Sequence, residues 1–460
     1  MRPLIATAAA VGLTLLAATP AVPQAAVPPA AGASSTVTGE LDSGAQYVLE
    51  VPESWNGTLL VFSPGYIGGD GGGPAESAPS AATRSWLLAE GYALSGSQPP
   101  TAGWAVADLL RDQDDVVAVA AEHLGAPDRT IAWGTSMGGL TSAALLEVHP
   151  EVFDGALPLC GSVAGAVGML NAGLDASFAF RTLLAPDNEA IELVDVDDEV
   201  GRAAAAREVL DAAQGSAAGR ARIALAAAFA QLPTWTEPGT DRPGPRDWAA
   251  QQEQQYAAFM WSVFSPRQPL EARAGGNFSW NTGVDYREQL ARSGNVRLVR
   301  ALYRDAGLDL QADLDRLNAT ERIEADPDAV EYMLANATPS GDIADPVLTL
   351  HESGDTAPTV TQASAYADAV AASGNARLLR QAFVDRPGHC GYTAAETLAA
   401  LTALEDRITT GRWGDLATSA SLDARAARID ATSPIDLGTA EFARLRVDDF
   451  LRPYYPVRDR

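Results

Sequence analysis

The sequence predicts an α/β fold: a mostly parallel sheet with a large helical cap inserted between two late strands. Three observations predict it. Short β-rich apolar runs alternate with helical patterns over the first third of the chain. The same alternation resumes at about residue 346. Between these regions lies a long stretch of helix-forming runs that breaks the rhythm.

The elements follow in chain order. Residues 1–33 read as a signal peptide and leader: Arg2, an apolar run over 4–18, Pro20 and Pro23, then small residues around Ala25, Ala26 and Ala31. The run is too short to span a bilayer comfortably, and no later segment is apolar enough for a transmembrane helix. The expectation is a secreted, extracellular protein with no membrane anchor after cleavage. Residues 34–160 hold the first part of the sheet, with strands at 47–51, 58–62, 92–94, 130–133 and 156–159. The turn Asn56-Gly57 between the first two predicts a hairpin. Helical patterns cover 83–90, 106–124 and 138–148. Residues 161–344 form the insertion, with helical runs at 199–232, 247–264 and 298–317 and breaks at 238–245 and 275–276. Residues 345–410 complete the sheet with strands at 347–350 and 378–384 and a helix over 393–408. The tail 411–460 is polar and is expected to pack on the surface. No internal repeat is visible.

Composition narrows the chemistry. The chain has 460 residues and a net charge of −27, which argues against a nucleic-acid partner. All 32 basic residues are Arg, and there is no Lys. That excludes a Lys-based phosphate loop, a pyridoxal Schiff base, a Ser-Lys hydrolase and a protein kinase. Two cysteines cannot build a structural zinc site alone, and the four histidines show no His-x-x-x-His spacing. No metal or organic cofactor is expected. The acidic group Asp195, Asp197, Asp198 and Glu199 lacks the Gly and terminal Glu of a calcium loop and reads as a helix start.

Gly134-Thr135-Ser136-Met137-Gly138-Gly139 follows a strand run and precedes a helical pattern. G-x-S-x-G in that setting is a nucleophile elbow, which lifts Ser136 above the sheet at a helix N-terminus. A serine nucleophile needs a base. His123 and His149 sit at helix ends. His351 ends a strand four residues before Asp355 and is the alternative base. His389, in Pro387-Gly388-His389-Cys390-Gly391, lies on a Gly-flanked loop at a strand end and is the expected base. Asp355, in a Gly-containing turn just past a strand, is the expected orienting acid, with Asp385 and Glu352 as weaker rivals.

The chain order Ser136, Asp355, His389, together with the elbow, resembles the α/β-hydrolase superfamily, and the two motifs are similar to those of secreted bacterial serine esterases and peptidases. The resemblance covers about 46–160 and 346–408, with the insertion in the place of the superfamily's variable cap. It implies an oxyanion hole from the backbone N–H groups of Met137 and, in the loop Ser63-Pro64-Gly65-Tyr66, of Tyr66. The superfamily commonly has His-Gly where this chain has Pro64-Gly65. It also implies that Cys160 and Cys390 both lie at the carboxyl edge of the sheet. An exported chain with an even pair of cysteines can form one disulfide, so these two are expected to be joined.

The expected reaction is hydrolysis of a small-molecule or polymeric carboxylic ester through an acyl-enzyme. A secreted serine peptidase, an acyltransferase and a silent fold used for binding are the alternatives. The lack of a preceding β-propeller repeat speaks against a prolyl-oligopeptidase arrangement. Trp235, Trp248, Trp261, Phe264, Phe278 and Trp280 concentrate in the insertion; core packing is the default reading and a substrate groove the other.

Overall fold

The structure, a computed structural model, describes residues 33–68 and 71–454. Nearly all of the predicted leader lies outside the described residues. One sheet organises the chain. Its strands are β1 (Ala33–Glu40), β2 (Gln46–Pro52), β3 (Thr58–Ser63), β4 (Ala93–Gln98), β5 (Arg129–Thr135), β6 (Gly155–Leu159), β7 (Val347–Gly354), β8 (Leu379–Pro387) and β9 (Phe442–Ala443). The spatial order is β1-β2-β4-β3-β5-β6-β7-β8-β9. The run from β4 through β8 is parallel, and β1, β2 and β9 pair antiparallel at the flanks.

The expected hairpin between the first two predicted strands does not form. β2 pairs with β1 and β4, and β3 pairs with β4 and β5. All six residues of β3 are buried. Such a strand needs neighbours on both edges and cover on both faces, which a local hairpin cannot supply. The cover comes from helices α1 (Ala81–Ala89), α2 (Val106–Leu124) and α3 (Met137–Val148). Leu59 and Val61 face a core shared with Leu109, Val116 and Leu140. Leu60 and Phe62, one residue out of phase, face Leu87 and Trp133 on the other side.

Between β6 and β7 come α4 (Gly165–Leu184), α5 (Glu199–Gln214), α6 (Ala217–Phe229), α7 (Trp248–Val263), α8 (Gln268–Ala274), α9 (Tyr286–Arg292), α10 (Val296–Ala306), α11 (Leu310–Ala319) and α12 (Pro327–Ala337). They build their own core around Phe178, Phe180, Phe229, Phe259, Tyr286 and Tyr303. Two predicted runs are each a pair of helices. The run over 199–232 breaks where the Ser216 side chain accepts the Gly219 N–H, and that over 298–317 breaks where Asp309 caps α11. Asp198 of the acidic group caps α5, as a helix start should. None of the described helices is long and apolar enough to cross a membrane.

After β7 come α13 (Gln362–Ala372), α14 (Ala394–Thr410) and α15 (Ser419–Thr432). The tail departs from its expected surface role. β9 pairs with β8. Beyond it the Leu451 N–H donates to Gln231 Oε1 (2.8 Å), and Arg452 Nη1 donates to the buried carboxylate of Asp175 on α4 (2.6 Å). Phe450 is buried with Ala164, Ala172 and Ala365. The tail is thus a strap joining the sheet layer to the cap. Its anchors are single residues without a period, so no helix or strand pattern announces them.

Candidate active site

The carboxyl ends of β5, β6, β7 and β8 deliver Ser136, Cys160, Asp355 and His389 to one edge of the sheet. Ser136 occupies φ 58°, ψ −118°, between β5 and α3. Such a backbone is strained for a side-chain-bearing residue and persists because its surroundings fix it. The Ser136 N–H donates to the Leu159 carbonyl at 3.0 Å. Around it the backbone is too close for side chains: a Cβ on Gly134 would stand 2.5 Å from the Ser63 carbonyl oxygen, and one on Gly138 only 1.9 Å.

His389 Nε2 lies 2.9 Å from Ser136 Oγ, and Nδ1 lies 2.9 and 3.0 Å from the two oxygens of Asp355. The carboxylate accepts from Nδ1, so the neutral ring carries its proton there and offers the Nε2 lone pair to the serine hydroxyl. Asp355 is fully buried and also accepts the Ala357 N–H at 2.9 Å. Burial alone would raise its pKa; the His389 charge and the hydrogen bonds of His351 and His389 outweigh that and hold the carboxyl below its usual range. For His389, burial opposes the charged ring, but the Asp355 charge and hydrogen bond, with Glu352 behind them, prevail and raise its pKa.

The His389 loop is held on several sides. The Gly388 N–H donates to the Gly354 carbonyl at 3.2 Å, and Arg386 Nη1 donates to the Gly391 carbonyl at 2.7 Å. Cys390 is disulfide-bonded to Cys160, and its sulfur lies 3.4 Å from His389 Nε2. A capping box of Thr393 and Glu396 then starts α14. Cys160, His389 and Cys390 are close enough to suggest a metal. Both sulfurs are spent in the disulfide, and both ring nitrogens face Ser136 and Asp355, so the group has no free ligand set.

The loop after β3 approaches the nucleophile: a Cβ on Gly65 would stand 3.6 Å from Ser136 Cβ. Tyr66 follows it, with its side chain 38 % exposed. Met137 is the first residue of α3, so its N–H has no partner within the helix. Gln113 of α2 is a neighbour of the site that no motif marks. Fully buried, it donates through Nε2 to the Phe62 carbonyl (2.8 Å) and Ser63 Oγ (3.2 Å), and so fixes the root of that loop. The signal was an amide on the apolar stripe of Val106, Leu109, Gln113 and Val116.

The other expected residues fall elsewhere. His351 is buried with Nε2 donating to the Pro358 carbonyl at 3.1 Å, 3.4 Å from Asp355 Oδ2. It braces the acid from behind and is not placed as the base. Asp385 pairs with Arg242 and accepts from Ser353 Oγ (2.8 Å), away from the imidazole. His123 Nδ1 lies beside the Val119 carbonyl (2.9 Å), and His149 caps the end of α3. Glu352 is fully buried and accepts the Gly391 N–H. Of the aromatics, Phe264 and Phe278 are core, whereas Trp261 is 58 % exposed on α7, so it forms no wall of an enclosed groove.

The chain is similar to several known proteins. Residues 107–188, from α2 through the elbow to just past α4, match the prolyl oligopeptidase family. The o-phthalyl amidase of Xanthobacter agilis is 31 % identical over 408 residues, covering 82 % of this chain and 87 % of that protein. The chain belongs to the α/β-hydrolase superfamily. It is a serine hydrolase of the esterase, amidase and peptidase group. Two solved superfamily structures align more distantly. Feruloyl esterase B from Aspergillus oryzae has 14 % identity and a TM-score of 0.41, covering 82 % of this chain and 81 % of that one. Est1E from Butyrivibrio proteoclasticus has 12 % identity and a TM-score of 0.35, covering 82 % and 100 %.

Proposed function

We infer that this hydrolase cleaves a carboxylic amide, and the corresponding ester, through an acyl-enzyme on Ser136. The observation that carries the reading is the continuous hydrogen-bonded line from Ser136 Oγ through His389 to Asp355. Ser136 Oγ attacks the carbonyl carbon while its proton passes to His389 Nε2, and the C=O electron pair moves onto oxygen. The Met137 and Tyr66 N–H groups receive that oxyanion; losing one such donor costs about 10²–10³ in rate. Collapse breaks the C–N or C–O bond as His389 returns the proton to the leaving amine or alcohol. Water then repeats the attack on the acyl-serine, with His389 taking its proton, and the acid departs.

The expected ester hydrolysis widens here to amides on one ground. The relative that spans most of the chain is named for amide cleavage. Export belongs to the same reading, supported by the Cys160–Cys390 disulfide, which suits an oxidising compartment.

A matched pair of o-phthalyl amide and o-phthalyl ester, with an acylated peptide beside them, tests the proposal. Both small substrates should turn over, the ester faster because its leaving group is better, and Ser136→Ala should cleave neither. Cleavage of the peptide alone would redirect the assignment to a peptidase. Cleavage of the ester alone would restore the esterase reading.

A further inference from the structure

The hydrolytic steps leave one buried carboxyl beside the triad unused. Glu352 lies on β7, three residues before Asp355. Its Oε1 accepts the N–H of Gly391, two residues past His389. Its Oε2 is buried and meets no hydrogen-bond partner among the described residues. Beside the carboxyl stands the Tyr392 hydroxyl. That hydroxyl lies 2.8 Å from the Leu350 carbonyl and accepts the Cys160 N–H at 3.1 Å. An ionised carboxylate with an unpartnered oxygen in a dry site is costly; a protonated one is far less so.

The charges around Glu352 agree. Asp355, past the end of the same strand, is negative. His351 and His389 are both committed to Asp355. From β8, Arg386 is taken by Glu396 of α14, by Glu441 and by the Gly391 carbonyl. From the cap, Arg242 is taken by Asp385 and Ser353. No cation among the described residues pairs with Glu352, and burial together with the Asp355 charge outweighs the Tyr392 hydroxyl and the two imidazoles and pushes its carboxyl up to about 7.

We propose that Glu352 is a proton-bearing positioning residue whose neutral carboxyl holds the Gly391 N–H, keeping the His389 loop over Ser136 without a second negative charge beside Asp355. The proposal rests on the triad reading above. When Glu352 loses its proton, its new charge favours the imidazolium, so His389 becomes harder to deprotonate. The two titrations are then coupled, and the acid limb of activity spreads beyond a single-proton curve.

The test compares wild type, Glu352→Ala and Glu352→Gln as full-length proteins. The readouts are kcat and KM across about pH 5–9 and an NMR titration of the His389 imidazole. Glu352→Ala should lose about tenfold in kcat with KM little changed, because a buried N–H loses its acceptor. Glu352→Gln accepts from Gly391 and stays uncharged, as the neutral acid does. It should recover most of that loss, narrow the limb to one proton and move both the limb and the imidazole titration to lower pH. Wild-type kcat in Glu352→Ala, or an imidazole titration in Glu352→Gln superimposed on wild type, overturns the proposal. Absence of turnover in wild type would defeat the hydrolase reading instead, and the imidazole titration would still decide the role of Glu352.

Discussion

Replacing Gly138 by Ala adds one methyl group, at the place where the elbow touches the loop after β3. The new Cβ would stand 1.9 Å from the Ser63 carbonyl oxygen and 2.6 Å from that of Pro64. Both are backbone atoms, so no rotamer change relieves the clash. Ordinary carbon contact begins near 3.5 Å, so α3 and the loop must separate by about 1.5 Å. These are the two elements that carry the Met137 and Tyr66 N–H groups. A displacement of that size should remove at least one oxyanion donor and lower kcat by about 10²–10³. Gly173→Ala is the control: a Cβ there meets nothing within 4 Å, and its helical position favours Ala by up to about 1 kcal/mol. Steady-state turnover of an activated ester, with thermal melting of each variant, reads the result. Folded Gly138→Ala with wild-type kcat would refute the assignment of the oxyanion donors to this contact.

Ser136→Ala and His389→Ala should each lose about 10⁶ in kcat, and Asp355→Asn about 10⁴, as in triads that act as a unit. Asp385→Asn removes an exposed ion pair and should stay within about threefold of wild type; a larger loss there than in Asp355→Asn would mean the wrong acid has been named. Activity needs neutral Nε2, so log kcat/KM should fall as pH drops through the His389 pKa, which Asp355 raises; the midpoint should lie above the ordinary imidazole value of 6.5, and a flat profile would deny a histidine base. The disulfide spans 230 residues, and chain entropy alone assigns it about 5 kcal/mol, an upper bound for so long a loop. Cys390→Ser should therefore lower the melting temperature and, well below it, still cost about tenfold in kcat by loosening the His389 loop; intact mass under non-reducing conditions checks the bond itself.

Ser136 was legible because glycines at fixed offsets leave few folds for a strand–turn–helix. His389 was legible by elimination among four histidines, three of them at helix ends or inside a strand. Asp355 could be preferred to Glu352 only by its position past the strand. Three residues apart on one segment, both carboxyls are short of partners in sequence, and only the fold shows which one turns to the imidazole. The insertion of β4 between β2 and β3 was not legible, since Asn56-Gly57 encodes a turn and not the pairing of the strands it joins. Helix α4 escaped because it is buried nearly all round, between sheet and cap, and so has no polar face to set a period. The tail strap escaped for the opposite reason: Phe450, Leu451 and Arg452 act singly, through partners more than 80 residues away.

Fluorophosphonate labelling followed by peptide mapping tests the central claim most directly. The reagent bonds covalently to a serine only where a base and an oxyanion site activate it. Wild type should carry one adduct, on the peptide containing Ser136, and the adduct should vanish in Ser136→Ala and fade steeply in His389→Ala. A folded wild-type protein that takes up no label, or takes it up on another serine, would contradict the account.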